Sequence, residues 1–117
     1  MKFEVMTYEG KTLNSFDDFG EALTYVKKNG KLYIWSREKK KTIYDPFSGE
    51  YAGWAQYIRE ISGLKRVQFC EKYNIPLRTM ENWEAGVTNA PQYVLDLLER
   101  AVKEDFPSEL NKNIKGR

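Results

Sequence analysis

Three observations predict an α+β fold, in which a small β-α-β-β unit is followed by four helices. Residues 65–86, KRVQFCEKYNIPLRTMENWEAG, hold two short amphipathic segments, 65–73 and 77–85, joined by Asn74-Ile75-Pro76. Upstream, segments 2–8, 31–36 and 42–45 are rich in β-branched and aromatic residues and are bounded by turn formers, the composition of strands. Between the two regions, Asp45-Pro46-Phe47-Ser48-Gly49 has turn chemistry at every position. The boundary belongs there, giving units at 1–48 and 49–106 and a polar tail over 107–117.

Taken in order, KFEVMTY at 2–8 alternates Phe3, Val5 and Thr7 against Glu4, Met6 and Tyr8, a strand with two partly used faces. Glu9-Gly10 turns the chain, and residues 11–14 read as at most a short return strand. Ser15 followed by Asp18 resembles a capping box with Asp in the Glu position, so a helix is expected to start there. It carries Phe16, Phe19, Leu23 and Val26 on one face and stops at Asn29-Gly30. KLYIWS at 31–36 and TIYD at 42–45 flank Arg37-Glu38-Lys39-Lys40-Lys41 and form a hairpin with a charged tip. Eleven of the seventeen aromatic residues lie in residues 1–54, more than so small a sheet hides, so part of them is expected to pack on the helical half.

In that half, Trp54, Ile58 and Ile61 fall at i, i+4 and i+7 of a helix over 51–62 that ends at Gly63. The next segment buries Phe69, Cys70 and Tyr73. The one after it has a narrow apolar stripe, Met80 and Trp83, which leaves most of its surface available. Asn74 tolerates the left-handed conformation that ends a helix, while Pro76 holds Ile75 extended and pre-sets the following turn. The chain must bend between the two, the shape of a helix-turn-helix. Gly86 ends the second of them, and Pro91 starts a last helix with Val94, Leu97, Leu98, Ala101 and Val102 on one face.

The bent segment resembles the Cro and phage-repressor type of helix-turn-helix, the XRE-like family, whose second and third helices read A-x-x-x-G-V-S-x-x-T-I-x-x-W-E-x-G. Cys70, Asn74, Ile75, Pro76, Thr79, Met80, Trp83, Glu84 and Gly86 align with it without a gap. The departures at Cys70, Asn74 and Pro76 are physically mild: a small residue, a residue that tolerates left-handed backbone, and a helix starter. The resemblance covers residues 51–103, about half the chain, and does not extend to the amino-terminal unit. It implies a lambda-repressor-like four-helix domain whose third helix enters the major groove of double-stranded DNA. By that resemblance Leu77, Arg78, Glu81 and Asn82 face base edges, Lys65 and Arg66 contact phosphates at the start of the second helix, and Thr88 does so in the loop after the third. Trp83 and Glu84 are expected to work internally, one in the core and one in a local hydrogen bond.

Composition narrows the alternatives. With no histidine and Cys70 as its one cysteine, the chain forms no internal disulfide and lacks the usual zinc sets; no metal or cofactor is expected. Cys70 reads as a buried, inert thiol. No apolar run approaches the ~18 residues of a membrane span, and MKFEVMTYEG lacks a signal peptide's apolar stretch, so the expected location is the cytoplasm. No histidine pair, Gly-rich phosphate loop or paired-carboxylate motif is present, and an enzyme is not expected. Residues 51–104 hold seven basic and seven acidic side chains. A formally neutral module binds DNA weakly alone, so a symmetric homodimer is expected. The run Lys39-Lys40-Lys41 serves solubility in the ordinary case, with a supplementary phosphate contact as its other use. The leading expectation is a sequence-specific DNA-binding protein, a small bacterial or phage transcriptional regulator. The alternative is a protein-interaction module, antitoxin-like or a phage-encoded inhibitor, whose amino-terminal half binds a protein partner.

Overall fold

A computed structural model describes residues 2–107 of the chain; the tail expected over 107–117 lies, past Pro107, outside the described residues. The fold is α+β, an antiparallel four-stranded sheet with one helix followed by four further helices. The sheet is built on β1 (Phe3–Thr7), which pairs with β2 (Thr12–Phe16) on one side and β3 (Leu32–Ser36) on the other. β4 (Lys41–Tyr44) completes the order β2-β1-β3-β4. Val5 pairs with Ile34, and both are fully buried under α1 (Phe19–Asn29), which brings down Phe19, Ala22, Leu23 and Val26. The opposite sheet face, with Glu4, Met6, Tyr33 and Trp35, is half-buried.

Two amino-terminal expectations need correction. The short return is a full strand: Phe3 pairs with Phe16 and Glu4 with Ser15, so the unit is β-β-α-β-β. Ser15 therefore belongs to the ladder. The helix cap is Asp18, whose carboxylate accepts the Glu21 N–H at 3.0 Å. Pairing of Ser15 and Phe16 with β1 wins over an earlier helix start because it extends the ladder, while Asp18 supplies a good cap three residues later. Phe16 still reaches the helix, its ring 5.6 Å from that of Tyr25.

The helical half comprises α2 (Ala52–Ser62), α3 (Arg66–Tyr73), α4 (Leu77–Ala85) and α5 (Gln92–Asp105). Among the described residues no helix is long and apolar enough to cross a membrane. On α5 the expected face holds except at one position, with Val94 and Leu98 packed against the core and Val102 within it. Leu97 is exposed, and the fully buried positions are Leu95 and Val102. Glu99 also lies on the inner side, its carboxylate accepting the Trp54 indole N–H at 2.7 Å and pairing with Lys103 at 2.6 Å. A hydropathy stripe does not anticipate a buried carboxylate.

One hydrophobic core joins the halves, running from Val5 and Ile34 through Tyr44 and Trp54 to Met80 and Leu95. At the junction Tyr44 meets Tyr51 at 5.7 Å and Trp54 at 5.8 Å, Phe19 meets Tyr57 at 5.5 Å, and Lys27 lies 5.1 Å over the Trp54 ring. Strand alternation puts Tyr44 on this inner side and Tyr33 on the open face, where its ring lies 5.4 Å from that of Tyr8. Burying side chains the size of Trp54 or Phe69 contributes roughly 1.5–3 kcal/mol each, so the junction weighs on the stability of both halves.

Candidate nucleic-acid interface

The candidate interface is α3, the turn and α4. Asn74 takes the left-handed conformation, φ 57° and ψ 46°, and the Ile75 N–H donates back to the Cys70 carbonyl at 3.0 Å. Pro76, at φ −58°, then leads straight into α4. On α4 the positions grade from buried to exposed, with Thr79, Glu81 and Asn82 half-buried. Met80 and Glu84 are buried and Trp83 is half-buried, while Leu77, Arg78 and Ala85 are exposed. Gly86, at φ 79°, lets the Val87 N–H reach the Asn82 carbonyl at 2.9 Å, which folds the following loop against the helix end.

Seven residues were expected at the interface, and they occupy different environments. The Arg78 side chain is 85% exposed, and its contact with Glu81 at 3.8 Å is a surface i,i+3 pair. Such a pair contributes at most about 0.5 kcal/mol, so a base edge or phosphate displaces it at little cost. Leu77 is exposed beside it, and Asn82 is half-buried one residue beyond Glu81. Thr88 is exposed in the loop, and Lys65 is exposed at the start of α3, where the Gln68 side chain accepts its backbone N–H at 3.2 Å. Arg66 is different. Its guanidinium turns inward to Glu84 at 3.1 Å, and its Nε is buried with no hydrogen-bond partner among the described residues.

Glu84 is the polar centre beneath the outer face. Arg59 of α2 grips it with two hydrogen bonds, Nε to Oε2 at 2.7 Å and Nη2 to Oε1 at 3.0 Å, and Arg66 adds the third. The Glu84 side chain is 5% exposed. Burial pushes its carboxyl up, but the hydrogen bonds from Arg59 and Arg66 outweigh that and hold it below the usual carboxylate range. A paired, bidentate geometry makes a buried carboxylate tolerable. The triad ties α2, α3 and α4 together through one group.

No protein-family model, curated protein or solved structure matches the chain. What remains is the interface's own geometry: an α4 side with Leu77 and Arg78 exposed, backed by the Glu84–Arg59–Arg66 cluster.

The sequence does not single out Arg59 for this interface, and its lysine run reads only as a solubility tip or a supplementary phosphate contact. Arg59 lies 25 positions from Glu84, and nothing local to either residue announces the pair. The tip of the β3–β4 hairpin also arrives here. The Lys41 ammonium donates to the Ala85 carbonyl at the end of α4 at 3.2 Å, and the Lys39 ammonium donates to the Gln56 side chain of α2 at 2.9 Å. Lys39, Arg66 and Glu81 line one shallow groove of about 430 Å³. The lysine run was visible in the sequence, and its destination was not.

Proposed function

We propose that this chain is a sequence-specific double-stranded DNA-binding protein, a small bacterial or phage transcriptional regulator of the Cro and phage-repressor type, which reads the major groove with α4. The observation that carries the reading is the division of α4 into a face locked inward by Met80 and the Glu84–Arg59–Arg66 cluster and an opposite side on which Leu77 and Arg78 are exposed and Glu81 and Asn82 are half-buried beside them. Base readout needs this arrangement, because side chains discriminate only when the helix beneath them is held in place. Arg78 supplies the bidentate donor that suits guanine, Asn82 the donor and acceptor that suit adenine, and Leu77 an apolar contact for a thymine methyl. Lys65 at the start of α3 and Thr88 in the loop after α4 hold the phosphate backbone. The neutral charge of residues 51–104 favours a homodimer on a palindrome, with half-sites roughly 34 Å apart.

The test is selection and sequencing of random duplexes at two salt concentrations, beside an Arg78→Ala/Asn82→Ala variant. A palindromic motif is expected from the native chain. The variant should lose discrimination at the corresponding positions by roughly ten- to a hundredfold per contact. Absence of any enriched motif, or weak binding that fades with salt and ignores the substitutions, would overturn the reading. A second reading, a protein-interaction module using the helices as scaffold, draws on the turn after β4, where Phe47 is 87% exposed with its ring tilted 5.4 Å from that of Tyr8. Loss of a protein partner on Phe47→Ser/Tyr8→Ser substitution, with no DNA motif, would favour it.

A further inference from the structure

We infer that the β3–β4 hairpin tip is a second DNA-contacting element, a basic wing beside α4 whose Lys39 and Lys40 grip the phosphodiester backbone next to the base-reading face. The inference rests on the DNA-binding reading of α4 and adds the source of its missing phosphate contacts.

Charge supplies the motive. Residues 51–104 balance seven cations against seven anions, whereas residues 37–41 hold four cations and one anion. Of these, Arg37 pairs with Glu4 at 3.3 Å on the open sheet face, while Lys39 and Lys41 reach the helical half at Gln56 and Ala85, so the hairpin brings cations to a half that has no excess of its own. Position supplies the means. Lys41 donates to the Ala85 carbonyl at 3.2 Å, anchoring the tip at the carboxyl end of α4, where a cation also complements the helix dipole. Lys39 lies across the groove from Arg66 and Glu81. A helix lying in the major groove is flanked by phosphates along its length, and cations mounted at its end stand beside one of those walls.

The tip is also held in shape before any partner arrives. The Lys40 N–H donates to the Ser36 carbonyl at 2.7 Å, and the Lys39 N–H donates to the Ser36 hydroxyl at 3.0 Å. Ser36 is 2% exposed, so the turn is built on a buried anchor. Lys40 projects from a left-handed position, φ 55°. Lys39 gives up only an exposed, neutral acceptor, Gln56, when it turns to a phosphate. A phosphate contact of this kind is blind to sequence and strongly dependent on salt.

The experiment measures affinity of the full chain for the duplex enriched by selection and for a mixed-sequence duplex, from about 50 to 200 mM salt. The variants are Lys39→Gln/Lys40→Gln, Lys39→Arg/Lys40→Arg and Glu38→Lys. Each phosphate contact contributes about 0.9 to the slope of log affinity against log salt. The glutamine variant should lower that slope by about 2 and weaken both duplexes by the same factor. The arginine variant should match the native chain, and Glu38→Lys should steepen the slope. A native slope in the glutamine variant, or a loss confined to the enriched duplex, overturns the wing and leaves the α4 reading standing. Should the glutamine variant fail to fold, Glu38→Lys decides alone, and an unchanged slope overturns the wing. A native chain that binds neither duplex overturns the wing and the DNA reading together.

Discussion

Glu84 shows how one residue supports a whole surface. Its buried carboxylate accepts three hydrogen bonds from two arginines on two other helices, and its removal leaves two guanidinium groups facing each other. Glu84→Ala should cost about 3 kcal/mol, read as a drop in the denaturation midpoint. The pH dependence follows from the direction of the shift. Glu84 and Glu99 are both buried, which alone would raise them. Arginine donors on Glu84, and Lys103 with Trp54 on Glu99, lower both carboxyls below their ordinary value. A depressed carboxyl contributes stability that is complete above its unfolded pKa, about 4.3, and is lost as pH falls through its folded pKa. The melting temperature should therefore fall as the solution is acidified below about pH 4, and less steeply in Glu84→Gln, where one of the two contributions is gone. Cys70 is buried, as the sequence implied: it is 5% exposed, and burial followed by the Glu84 charge pushes its pKa up. Thiol titration should be slow in the native state and complete on unfolding.

At the scale of elements, the α2–β4 contact joins the two halves most tightly. A Cβ at Gly53 would lie 2.8 Å from Ile43 Cδ1 and 2.9 Å from Ile43 Cβ. Gly53→Ala should force β4 away from α2 and cost about 1–3 kcal/mol, measured by denaturant titration; an unchanged midpoint would mean the strand gives way freely. The same substitution should disturb Lys41, which follows β4 to the end of α4. Element boundaries were legible where a residue dictates backbone: Asn74 and Pro76 set the α3–α4 turn, and Gly63 and Gly86 end their helices in left-handed conformations. They were less legible where two local solutions competed, as at Ser15 and Asp18, because strand pairing with β1 decides between them and pairing is not local.

For the whole molecule, the continuity of the core is the governing fact. Trp54, 1% exposed, is packed by Tyr44 from the sheet unit and hydrogen-bonded to Glu99 from α5. Neither half buries it alone. Unfolding should be a single transition, with tryptophan fluorescence and far-ultraviolet circular dichroism giving the same midpoint. Two separated midpoints would mean that the halves melt independently despite their shared core. The shared core also carries the proposed wing, since a hairpin hinged loosely on the helices would not keep Lys39 and Lys41 beside α4.

The sequence by itself determined the class of fold, the two short helices and their turn, the exposure of Leu77 and Arg78 on α4 and the existence of a charged hairpin tip. Each of these follows from signals a few residues long: periodicity, a left-handed asparagine, a proline, a glycine. Only the tertiary structure decided that Glu84 is held by Arg59, that Glu99 turns inward beneath Trp54, and that Lys41 ends against Ala85, 44 positions away. Those partners are chosen by how the sheet and helices pack, because a buried charge has to find a mate within hydrogen-bond reach wherever the chain brings one.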